Sequence, residues 1–148
     1  MTKVIKMKPI EYTMPPQKAQ MLAEPAVMYV ANPRVGVFSN ARFQSLSSKL
    51  SFTQQEWADI LHISDRTLQR YLKEERSFEG LHAEHLHQLD ALAGLGIAVF
   101  GSPSAFDAWL RRPKSILGQD VGFSALRSFG GTQLLGDELG RMLHGVYI

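Results

Sequence analysis

The 148-residue sequence contains no cysteine, which removes disulfide frameworks, thiolate metal sites and cysteine nucleophiles and suits a reducing compartment. No apolar run approaches the roughly 18 residues that a membrane-crossing helix needs, and the opening MTKVIKMKPIEYTMPPQ lacks the unbroken apolar stretch of a signal peptide. A cytoplasmic protein, neither exported nor membrane-embedded, is expected. Nucleophile-elbow, phosphate-loop and dinucleotide-binding glycine patterns are also missing, so neither catalysis nor a cofactor is expected. Repeats and low-complexity segments are absent, and no convincing pair of alternating strands is present, which leaves an all-α fold.

What the chain does have is apolar content, 45% against 20% charged residues, enough for one compact unit or two small ones sharing a core. Its net charge of +2 is unevenly spread: residues 1–50 carry seven Lys and Arg against two acids, residues 51–100 four against eight, and residues 101–148 five against four. A basic N-terminal end suits phosphate tracking, although a solubilising tail is the plainer reading. Five of the seven prolines, at 9, 15, 16, 25 and 33, fall in this region and break every helical period. Residues 1–40 are therefore read as an extended, partly ordered arm, with a short strand or helical turn at Ala26 to Val30 and a turn at Asn32-Pro33.

Helical periodicity begins at Ser39. Phe43, Leu46 and Leu50 recur at three- and four-residue intervals behind a cap at Ser39 or Asn40. Thr53-Gln54-Gln55-Glu56 has the form of a capping box, starting a helix near residue 54 whose apolar face is Trp57, Ala58, Ile60 and Leu61. The pattern breaks at His62-Ile63-Ser64, and Ser64 caps the next helix, Asp65 to about Glu74. A longer run, from about Leu81 to Val99, places Leu86, Leu89, Leu92, Ala93 and Leu95 on a broad apolar face and reads as a core or dimer helix. Gly94 and Gly96 predict a kink there or the close approach of another backbone. Ser102-Pro103 restarts a helix with Phe106, Trp109 and Leu110 inward, Pro113 halts it, and KSILGQDVG reads as a loop. Phe123, Leu126 and Phe129 predict a short helix closed by Gly130-Gly131. Leu135, Leu139, Met142 and Leu143 predict a last helix closed by Gly145, its leucine face packed on the core.

Residues 54–73 have the requirements of a helix-turn-helix: a small residue, Ala58, where the helices cross, and internal apolar positions at Leu61, Ile63, Leu68 and Leu72, with Tyr71 adding to the packing. At 100° per residue, Arg66, Gln69, Arg70 and Lys73 share one outward sector of the second helix, away from Leu68 and Leu72. Arg suits guanine and Gln suits adenine, while Ser64 and Thr67 sit where a helix start meets phosphate or a base edge. These six residues are the candidate DNA-binding set. His62 stands where such turns usually place glycine, so its imidazole must tolerate a left-handed backbone.

From Leu50 to Ile148 the chain resembles antitoxins of the Xre/MbcA/ParS type, particularly those paired with RES-domain toxins. The likeness rests on "ILHISDRTLQRYLKEE", "LGIAVFGSPSAFDAWLRRPKSILG" and "GDELGRMLHGVYI", taken in this order and spacing. Departures fall at Gly122-Phe123 and Ser128-Phe129-Gly130-Gly131. The resemblance implies an Xre-like helix-turn-helix DNA-binding and dimerising domain over 41–99 and a small helical toxin-binding domain over 100–148. It further implies a homodimer that binds operator DNA and a RES-domain toxin consuming NAD, whose active site the C-terminal end occludes. Carried over, Gly145, Val146, Tyr147 and Ile148 form the plug, and Leu139, Arg141, Met142 and His144 the adjoining surface. The alternative is a helix-turn-helix repressor with no toxin partner.

Other constellations carry less. His82, His85 and His87 invite a metal or, with Glu84 and Asp90, a hydrolase reading, but without further ligands or a nucleophile a chance cluster is preferred and no metal is expected. Arg111-Arg112-Pro113-Lys114 reads equally as a phosphate or acidic-partner contact and as a solvated helix end.

Overall fold

The computed structural model describes residues 36–145. The arm up to residue 35, including the Ala26 to Val30 segment and the Asn32-Pro33 turn, lies outside the described residues, as do Val146, Tyr147 and Ile148.

Capping decides where most helices begin. Ser39 accepts from the Arg42 amide and starts α1 (Asn40–Lys49); Thr53 and Glu56 close the capping box of α2 (Gln54–Leu61); Ser64 starts α3 (Asp65–Lys73). After α3, the spine of the fold is the 21-residue α4 (Gly80–Phe100), about 31 Å long at helical rise. Ser102 and Pro103 then open α5 (Pro103–Arg111). A 3-10 turn (Phe123–Arg127) leads into α6 (Phe129–His144), which ends at a left-handed Gly145 with φ 66°. One apolar cluster runs through all of these, from Phe38, Phe43 and Trp57 to Phe106, Leu126, Leu135 and Leu139. No single helix among the described residues is long and apolar enough to cross a membrane.

The architecture is all-α, with a helix-turn-helix followed by a helical C-terminal region, but it includes two small ribbons. β1 (Val37–Phe38) pairs antiparallel with β2 (Phe78–Glu79), bringing the start of α1 beside the start of α4. The segment expected to be a loop, KSILGQDVG, is instead a hairpin: β3 (Lys114–Ile116) pairs with β4 (Gln119–Val121), burying Ile116 and Val121. Leu117 and Gly118 form its two-residue turn at φ 50° and 81°, a pair of positive angles usually met with Asn-Gly. Three-residue strands closed by an atypical turn leave little periodicity to read.

Two further expectations need correction. Gly130-Gly131 does not close a helix after Phe129 but lies in the first turn of α6, where Ser128 accepts from the Gly131 amide at 2.9 Å. A Cβ on Gly131 would collide with the Ala125 carbonyl, so this glycine serves a close approach rather than a stop. Gly96 likewise makes room, though for the Phe106 ring and not for a second backbone, and α4 continues to Phe100.

Candidate functional site

The helix-turn-helix is built from α2, α3 and the turn between them. Ala58 is fully buried at the crossing, Leu61 and Leu68 are buried beside it, and Ile63, Tyr71 and Leu72 are packed against the core. His62 does adopt the left-handed backbone, φ 59° and ψ 41°, and its amide together with that of Ile63 satisfies the last carbonyls of α2. Gln54 at the start of α2 donates to Asp65 at the start of α3 across 3.0 Å. At the other end of α3, Asn40 donates to the Tyr71 carbonyl at 3.3 Å and to that of Arg76 at 3.2 Å. The second helix is thereby tied at both ends.

Arg66, Gln69, Arg70 and Lys73 are all exposed on α3. Arg66, Arg70 and Lys73 make no ion pair among the described residues, whereas Gln69 donates to Asp65 at 3.3 Å. Ser64 and Thr67 are engaged in the cap: the Ser64 hydroxyl accepts from the Thr67 amide at 3.0 Å and donates to the Thr67 hydroxyl at 2.8 Å. Only acceptor capacity remains on Ser64, which limits it to donors rather than phosphate oxygens while the cap is intact.

The C-terminal candidates gather at the end of α6. Arg141 is paired with Glu138 at 2.9 Å, and His144 and Gly145 are exposed. Leu139 is fully buried and so is not part of an outward surface. Leu143, expected to face the core, is 45% exposed, because the last turn of the helix extends past Leu139, the final fully buried position. The remainder of the expected plug, Val146, Tyr147 and Ile148, lies outside the described residues.

The three histidines diverge. His85, 4% exposed, donates from Nε2 to the Thr132 hydroxyl at 3.4 Å and faces the Phe129 ring at 4.9 Å. Burial lowers its pKa, opposed by the nearby Leu126 carbonyl and reinforced by His62 and His82. His87 donates to the Val37 carbonyl at 3.1 Å and stacks edge-on against Phe38 at 5.0 Å. Asp90 is held by Arg42 at 2.6 Å. Among the described residues no group of three or more His, Asp or Glu could hold a metal ion.

Both sequence readings of the Arg111-Arg112-Pro113-Lys114 cluster, a contact with phosphate or an acidic partner and a solvated helix end, leave Arg111 facing outward. Instead it joins α5 to α2, making bonds of 2.7 and 3.0 Å to the two Glu56 oxygens, 2.9 Å to Asp107 and 3.0 Å to the Ser51 carbonyl. The Arg111 bond holds the Glu56 carboxyl below its ordinary pKa, and the two carboxylates keep Arg111 firmly protonated. Lys114 rests over the Trp109 ring at 4.5 Å, and burial lowers its pKa. Only the Glu56 half of the Arg111 pairing had a local signal, the capping box.

With this geometry in place, two family models match the chain. One, described as the antitoxin Xre-like helix-turn-helix domain, matches residues 42–79. The other, described as the antitoxin Xre/MbcA/ParS C-terminal toxin-binding domain, matches residues 95–145. No curated protein matches the chain.

Proposed function

Since the chain belongs to the Xre-type antitoxins, with both the helix-turn-helix and the toxin-binding domain of that family, we propose that it neutralises a RES-domain toxin and represses its own promoter. In this reading residues 145–148 enter the NAD-consuming cleft of the toxin, and Arg141 and His144 line the rim of that contact. Gly145 is suited to the task, because its left-handed backbone ends α6 and turns the chain out of the helix. Ser64, Arg66, Thr67, Gln69, Arg70 and Lys73 form the operator face. Two copies of the chain present two such helices, as paired half-sites one helical turn apart require.

The observation that carries the proposal is the order of the two matched regions in one chain, the first of them presenting on an exposed helix cations that have no ion pair among the described residues. Deleting residues 145–148 is the test. Cells expressing the toxin should be rescued by the full chain and not by the truncated one, with the truncated protein still folded by circular dichroism. Equal rescue by both would remove the plug.

A further inference from the structure

Beyond α3 there is a further cation without an ion pair among the described residues: Arg127, exposed at the end of the 3-10 turn. That turn belongs to the second matched region, yet it packs on α2 of the first. The His62 Nε2 donates to the Arg127 carbonyl at 2.6 Å, and Phe52 meets the Phe123 ring edge-on at 5.1 Å. Leu126 is fully buried, and the Thr132 hydroxyl donates to the Ser128 carbonyl at 2.8 Å. Since His62 caps the end of α2 and Ser64 caps the start of α3, the Arg127 peptide is fixed at the turn between the two helices. The bond also gives a reason for histidine at a left-handed position where glycine would be less strained: glycine has no ring to reach Arg127.

Charge at this turn calls for such a residue. The segment 51–65, which contains all of α2 and the turn, carries Glu56, Asp59 and Asp65 but no Lys or Arg. Arg111 offsets Glu56, whereas Asp59 and Asp65 are met by the neutral amides of Gln55, Gln54 and Gln69. The Ser64 hydroxyl has spent its proton on Thr67 and has none to give a phosphate oxygen. A duplex approaching the start of α3 therefore meets acidic side chains first, and a cation held beside the turn reverses that repulsion. Because the Arg127 peptide is already fixed, little ordering is needed to use it.

We propose that Arg127, supplied by the toxin-binding domain, contacts a backbone phosphate of the operator beside the start of α3, so that the DNA interface is built from both matched regions. The inference rests on the operator reading given above. As a phosphate contact it adds affinity and fixes register without reading sequence.

Full-length wild type, Arg127→Gln, Arg127→Lys and Lys49→Gln are titrated by fluorescence anisotropy against promoter duplex and a scrambled duplex of equal length, over a series of salt concentrations. Glutamine deletes the charge but keeps the carbonyl that His62 holds, so the melting temperature should change little. Arg127→Gln should weaken binding to both duplexes by the same factor and flatten the slope of log affinity against log salt by about 0.9 per chain bound. Arg127→Lys should keep the wild-type slope, because a phosphate accepts a point charge, and Lys49→Gln, an equal charge loss on α1, should keep it too. An unchanged slope in Arg127→Gln or an equal flattening in Lys49→Gln would overturn the contact. A loss confined to promoter duplex would overturn it in favour of a base. Wild-type duplex binding by an Arg127→Gln chain that no longer neutralises the toxin would overturn it in favour of the toxin interface. A wild type that binds neither duplex would instead remove the operator reading beneath it.

Discussion

Arg66, Arg70 and Lys73 contrast with Arg42, Arg111 and Arg141, each of which has a carboxylate within 3 Å. A cation already paired must give up that partner before it can meet phosphate or guanine, whereas the α3 cations have no such partner among the described residues. Changing Arg66, Gln69 or Arg70 to Ala should each weaken operator retention in gel shifts by about 1–3 kcal/mol if it reads a base. Undiminished retention would transfer the reading to another surface. His85 and Glu56 make separate predictions about acidity. Folding lowers the pKa of both, chiefly through burial for His85 and through Arg111 for Glu56, so each contributes stability at high pH that is lost on acidification. For His85 the loss begins as pH falls through about 6.5, the value in the unfolded chain, and for Glu56 below about 4.5. Urea midpoints should therefore fall between pH 7.5 and 5.5, by at most about 1.4 kcal/mol per pH unit from one histidine. His85→Gln should reduce that slope; an unaltered slope would assign it to other groups.

Among the elements, those announced by their own caps were legible in the sequence. Thr53 and Glu56, Ser64, and Ser102 with Pro103 each place a start signal within four residues of the helix they open. The 3-10 turn falls where Phe123 and Leu126 predict a short helix, but the hairpin was not legible, because three-residue strands carry too little periodicity. Nor were the partners of Arg111 and His62, which lie 55 and 65 residues away and meet only through packing. The exposed set on α3 was recovered because helical spacing alone defines a face. At the hairpin tip Leu117 is 74% exposed with a left-handed backbone that suits Asn better. Leu117→Asn should raise stability by about 0.5–1 kcal/mol, measured by thermal unfolding; a lower melting temperature would show that the leucine packs on something in solution.

Over the whole molecule, the apolar cluster that spans both matched regions makes the helix-turn-helix and the toxin-binding domain share one core. The long α4 spans the join, packing against β1 and β2 and against α5 and α6. Phe106 is fully buried against α4 at Gly96, so Phe106→Ala should cost about 3–5 kcal/mol. Because the core is shared, that loss should abolish operator binding and neutralisation together; loss of neutralisation alone would mean that the two parts fold independently. The central claim, that this chain silences a toxin by filling its cleft, is tested most directly by NAD consumption with purified RES-domain toxin under titration. The account predicts that the full chain stops NAD loss at stoichiometric concentration and that the chain lacking residues 145–148 does not. Undisturbed NAD loss in excess full-length protein would contradict it.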